Sequence, residues 1–137
     1  MPWELFEHTA DLGLRVEAQD LETLLAEAGA GLLGVLMDNP EAVEPRQPQA
    51  IEVAGSDPEY LLFDWLDELL AIFDTRRILF SRFDIRLDPS GLKATAWGEA
   101  LDPRRHRLAH EVKAITYHGL KVERVGSRWR AEVIVDI

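Results

Sequence analysis

The sequence predicts an α+β fold, and three observations carry that expectation. Two helical periodicities stand among short stretches of period-two alternation. The helices come early, and the last third of the chain reads as consecutive strands joined by tight turns. The element order therefore departs from the regular βαβα of a parallel sheet, which leaves two amphipathic helices on one face of a mixed, mostly antiparallel sheet. A length of 137 residues with 47% hydrophobic and 29% charged side chains fits one domain spanning residues 1–137.

Trp3 to Phe6 reads as a short strand, His8-Thr9-Ala10-Asp11 as a connection, and Leu14, Val16 and Ala18 alternate with Arg15 and Glu17 as in a half-buried strand. From Asp20, a suitable N-cap, Leu21, Leu24, Leu25, Ala28, Leu32 and Leu36 follow the 3.6 period to about Met37. Asp38-Asn39-Pro40 stops that helix, the stretch to Pro48 reads as loop, and Ile51 and Val53 form a short strand.

Ser56-Asp57-Pro58-Glu59 opens the second helix: Ser56 and Glu59 have capping-box spacing, Asp57 is an alternative cap, and Pro58 suits the first turn. Leu61, Leu62, Trp65, Leu66, Leu69, Leu70 and Phe73 form its inner stripe, with acids on the opposite side. After Arg76-Arg77 the period falls to two, and Asp88-Pro89-Ser90-Gly91 predicts a hairpin turn before Leu92, Ala94 and Ala96. Residues 102–110 read as a polar, basic loop. Val112, Ala114, Thr116 and Val122 continue in extended alternation with a bend at Gly119, and Trp129, Ala131, Val133 and Val135 form the last strand. A helix followed by a strand occurs twice, a faint duplication.

The formal net charge of −10 argues against a strong, general nucleic-acid binder. The charge is unevenly spread: residues 1–75 hold 17 acids against Arg15 and Arg46, and residues 76–137 hold 13 Lys and Arg against 8 acids. Either two faces of one fold attract each other, or a basic face stays free for a phosphate-bearing partner. The absence of cysteine removes thiolate zinc sites, iron–sulfur clusters and cysteine nucleophiles, and with no secretory signal or membrane span the expected location is the cytoplasm.

The motifs of nucleotide loops, serine hydrolases and zinc proteases are absent. Arg104-Arg105-His106-Arg107 reads either as a solvated loop or as a phosphate-facing cluster; the role of this basic loop, residues 103–107, stays open. Asp11 serves either as a turn-forming residue or as a metal ligand. Asp136 is either a solvated strand end or a second ligand, one residue before a carboxylate on Ile137. Should the last strand lie beside the first connection, these oxygens converge as hard donors for Mg²⁺, Ca²⁺ or Mn²⁺. Glu111 and Lys113 stand two apart, with a local ion pair as the simple expectation.

HTADLGLRVEA, LLFDWLDELLAIFD, WGEALD, HEVKAITYHGLKV and the closing VIVDI occur in one order over nearly the whole chain. In these segments the sequence resembles the archease family. The resemblance implies a fold of duplicated strand–helix–strand–strand units. It also implies an accessory role, not an enzymatic one: activation of an RtcB-type RNA ligase in tRNA splicing and RNA repair, by promoting GTP-dependent guanylylation of the ligase and its multiple turnover. A divalent ion (Ca, Mg or Mn) is implied at Asp11, Asp136 and Ile137, with His8, Glu111 and Lys113 as supporting or partner-facing residues. The alternative is a chaperone or specificity modulator of an RNA-modifying enzyme such as a tRNA methyltransferase. A metal-dependent hydrolase is a third class, for which no nucleophile or base stands at a fixed spacing.

Overall fold

In the computed structural model, residues 2–8 and 11–137 are described, His8 by its backbone alone. Thr9, Ala10 and the His8 side chain, part of the HTAD connection, lie outside the described residues. The elements run β1 (Trp3–His8), β2 (Asp11–Ala18), α1 (Leu21–Leu36), β3 (Gln47–Ala54), α2 (Pro58–Arg76), β4 (Ile78–Asp88), β5 (Gly91–Ala100), β6 (Ala114–Ile115), β7 (Lys121–Val125) and β8 (Arg128–Asp136).

The expected single mixed sheet is instead two sheets, and every pairing is antiparallel. One has the order β1-β2-β8, with β6 and β7 sharing the far edge of β8; the other has the order β3-β5-β4. The consecutive run β3–α2–β4–β5 supplies all of the smaller sheet, which is one strand–helix–strand–strand unit.

The reason for two sheets lies in α1. Asp20 caps it by accepting from the Thr23 amide at 2.8 Å. Beyond its first turn no residue of α1 is exposed, so it is not the one-sided amphipathic helix that its leucine spacing predicts. Its glycines let both sheets approach closely: a Cβ on Gly31 would stand 2.5 Å from Leu14 of β2, and one on Gly29 2.9 Å from Phe83 of β4. A helix with no exposed side is covered only when it lies between two partners.

In α2, Asp57 is the cap, accepting from the Glu59 amide at 2.8 Å. The predicted inner stripe from Leu61 to Phe73 is buried as read, with acids outward. Trp65 is fully buried, donates its indole N–H to the Leu25 carbonyl of α1 at 2.8 Å and meets Phe83 edge to face. The two helices and the smaller sheet are thereby locked at one point.

β3 starts at Gln47, earlier than Ile51, and includes Pro48. It is an edge strand of its sheet, where a residue lacking an N–H is tolerated. The β4–β5 turn follows the sequence cue, with the Asp88 carboxylate accepting from the Ser90 amide at 2.8 Å.

The 102–110 segment is a correction. It is not simply solvated, because His106 is buried at 3% exposure together with Glu99 and Asn39. His106 Nδ1 accepts from the Asp102 amide at 2.8 Å, which leaves Nε2 to carry the proton and donate to Glu99 at 3.0 Å. The Glu99 carboxylate also accepts from the Glu44 amide at 2.8 Å and pairs with Arg105. Asn39 donates to the Arg105 carbonyl and accepts from the Arg107 amide, both at 2.9 Å. The fold needs these partners because a buried polar group without one is costly.

No described helix is long and apolar enough to cross a membrane.

Candidate functional site

The side chains of β2 and β8 divide by alternation into two sets. Leu14, Val16 and Ala18 of β2 and Ala131, Val133 and Val135 of β8 are buried toward the helices. The register puts Asp11 opposite Asp136, Gly13 opposite Ile134, Arg15 opposite Glu132 and Glu17 opposite Arg130, all on the outer face.

Along that face acid meets base. Arg15 donates to Glu4 of β1 at 2.7 Å and lies 3.5 Å from Glu132, which in turn lies 3.7 Å from Lys121 of β7. The hydrogen bond to Glu4 is the main reason that the Arg15 guanidinium titrates above its ordinary value. In the next row Arg130 pairs with Glu17 at 2.7 Å. Between these rows and the strand end, the ring of Phe6 lies over Gly13, where an added Cβ would stand 2.2 Å from it.

The Asp11–Asp136 row breaks this pattern by setting two acids opposite each other. Directly opposed residues on one face hold their Cβ atoms about 4.5–5.5 Å apart, and like charges there are destabilising. Both residues are half-buried, as is Ile137, which packs against the core. Asp136 is fixed on its other side by β6: Ala114 stands opposite it, and the Lys113 amide donates to its carbonyl at 2.7 Å. The His8 backbone is opposite Asp11.

The fold thus brings together Asp11, Asp136, Ile137, the His8 backbone and the Lys113 amide. Glu111 and Lys113 differ from expectation. They lie in irregular chain before the two-residue β6, both side chains are exposed, and they form no ion pair with each other among the described residues. β6 runs antiparallel to β8 with Ala114 opposite Asp136, the last residue of that strand, so no strand residue stands opposite Lys113 or Glu111 to extend the pairing over them. His106 is buried on Glu99, whereas His110 is exposed.

Asp11 and Asp136 offer oxygen donors only, which fits a hard divalent cation. Among the described residues no group of three or more His, Cys, Asp or Glu side chains is arranged to hold a metal. A cation held by these two carboxylates would need main-chain or water oxygens besides them. Beside this end of the sheet runs a groove of about 760 Å³ bordered by Asp74, Arg77, His110, Glu111 and Lys113.

The buried Asn39–Glu99–His106 network escaped the sequence reading. Its one cue was the dense placement of Arg104 to Arg107, which also describes a solvated loop.

The archease protein family model matches residues 3–137. Among curated relatives, the archease of Methanopyrus kandleri is 43% identical with all of both chains covered, and that of Pyrococcus abyssi is 40% identical with 98% of each covered. The solution structure of Methanobacterium thermoautotrophicum protein 1598 superposes with a TM-score of 0.86 at 36% identity, covering 99% of each chain. The crystal structure of an archease, possible chaperone, from Thermotoga maritima has the same fold, with a TM-score of 0.67 at 24% identity over 98% of this chain and 96% of that one. With its sequence matched from Trp3 to Ile137 and its two-sheet fold shared, the chain belongs to the archease family.

Proposed function

We propose that this protein activates an RtcB-type RNA ligase in tRNA splicing and RNA repair, promoting guanylylation of the ligase by GTP and its multiple turnover. Asp11, Asp136 and the terminal carboxylate of Ile137 would hold a divalent ion, calcium, magnesium or manganese. The observation that carries this reading is the opposition of Asp11 and Asp136 in register on the outer face, in a chain of the archease family.

The protein's own residues position and do not react. The β2–β8 pairing fixes the two carboxylates, and the Lys113 amide holds the end of β8. A cation bound there supplies positive charge to phosphate oxygens, the main requirement of phosphoryl-type transfer. The role is accessory and non-enzymatic, and it belongs in the cytoplasm with the ligase.

The test is ligation under substrate excess with a cognate RtcB-type ligase, GTP and Mn²⁺. The expected result is stimulation of turnover by wild type and none by Asp136→Ala, with folding of the variant checked by circular dichroism and its calcium binding by calorimetry. Equal stimulation by a folded Asp136→Ala protein overturns the role of the carboxylates; no stimulation by either overturns the ligase reading.

A second reading is modulation of an RNA-modifying enzyme such as a tRNA methyltransferase. It draws on the Thermotoga maritima protein of the same fold being described as a possible chaperone. It requires an effect on methylation that survives Asp136→Ala.

A further inference from the structure

The outer stripe of α2 carries aromatic rings as well as acids. Tyr60, Phe63, Asp64, Asp67 and Glu68 recur at helical spacing on the side away from the buried stripe. Tyr117, in the chain between β6 and β7, lies on this stripe. Its ring stacks on Phe63 with centroids 3.9 Å apart and planes 8° from parallel, and meets Tyr60 edge to face at 6.1 Å.

Tyr60 and Tyr117 are nevertheless 59% and 57% exposed. Isolated exposed apolar residues need no explanation, but two tyrosines held together over a third ring form a contiguous, ordered patch. Stacking has already restricted the Tyr117 ring, so binding against it costs little further ordering.

The rim decides what fits. Asp64, Asp67 and Glu68 are exposed and enter no ion pair among the described residues. Burial of the ring and, after it, the charges of Asp64 and Asp67 hold the Tyr117 phenol above its ordinary titration range. Anionic carboxylates beside electron-rich ring faces match guanidinium or ammonium groups, which pair with the acids and lie over the rings at once. Nucleic acid is repelled by the same acids. The Arg15–Glu132 and Glu17–Arg130 rows on the outer face of the larger sheet lack this character, because their acids are already matched to Arg15, Arg130 and Lys121.

We infer that Tyr60, Phe63 and Tyr117, with Asp64, Asp67 and Glu68, form the docking surface for an arginine- and lysine-bearing face of the ligase, an assignment that rests on the proposed function. Docking and the carboxylate site are then separate tasks. Buried aromatic anchors of this kind supply much of an interface's affinity.

The experiment measures binding of the purified ligase to this protein by calorimetry, separately from ligation. Wild type is compared with Tyr60→Ala/Tyr117→Ala, Asp64→Lys/Asp67→Lys and Asp136→Ala. Both surface variants should bind at least about tenfold more weakly, regain full stimulation at saturating concentration and keep wild-type calcium binding. Asp136→Ala should bind as wild type does. Undiminished binding by both surface variants overturns the docking assignment and leaves the ligase reading intact. Binding by wild type without stimulation overturns the ligase reading alone, and no binding by wild type overturns both. Dimers in sedimentation that Asp64→Lys/Asp67→Lys dissolves would make a second copy the occupant, also overturning the assignment.

Discussion

Replacing Glu99 by alanine tests whether the buried network holds the basic loop to the fold. The carboxylate is 8% exposed as a residue and accepts from the Glu44 amide and from His106 Nε2. Its removal strands both donors, at about 1–3 kcal/mol each. The pair with Arg105 adds little, because that guanidinium side chain is 37% exposed and screened. Water reaching Glu44 from the surface offsets part of this, so the expected loss is about 3 kcal/mol, a fall in Tm of about 10 °C for a domain of this size.

Urea and thermal unfolding followed by circular dichroism at pH 7 measure it, with His106→Ala and the double variant completing a cycle. The coupling should be about 1 kcal/mol or more. Burial pushes the Glu99 carboxyl up, but the Glu44 amide, His106 and Arg105 together hold it below its ordinary value. A carboxyl depressed in the folded state stabilises fully above its ordinary value and loses that contribution as pH falls through the depressed one. Wild type should therefore lose stability on acidification below about pH 4.5 more steeply than Glu99→Gln. A loss under about 1 kcal/mol for Glu99→Ala, with no coupling to His106, refutes the reasoning.

Gly31→Ala puts a Cβ 2.5 Å from Leu14 in the packed space between α1 and β2, and should cost about 1–3 kcal/mol in urea unfolding. Asp57→Ala removes the cap of α2 and should cost about 1 kcal/mol in the same assay. Asp136→Asn should weaken calcium binding at least about tenfold in calorimetry. In metal-free buffer the same substitution relieves an opposed pair of like charges, so thermal stability there should rise by a few tenths of a kcal/mol; a clear fall would show that the two carboxylates do not repel.

The helices and most strands were legible because their cues are local. Asp20 and Asp57 cap where a short polar side chain precedes a leucine-rich run, and the Asp88–Gly91 turn carries its own hydrogen-bonding side chain. Asp11 and Asp136 stood out as oxygen donors in unusual places. Their opposition was a conditional expectation, since pairing between residues so far apart in the chain leaves no periodic trace.

By itself, the sequence determined the α+β class, the two helices, the hairpins and the residue types of the carboxylate site, because capping, period and donor chemistry are properties of neighbouring residues. Tertiary structure alone decided the rest. The division into two antiparallel sheets follows from α1 being covered on every side beyond its first turn and narrow at Gly29 and Gly31. His106 is buried because Glu99, fixed on β5, waits for its proton, and Tyr117 meets Phe63 because β6 ends after two residues. Each of these contacts joins distant segments, and burial is settled only when the segments pack.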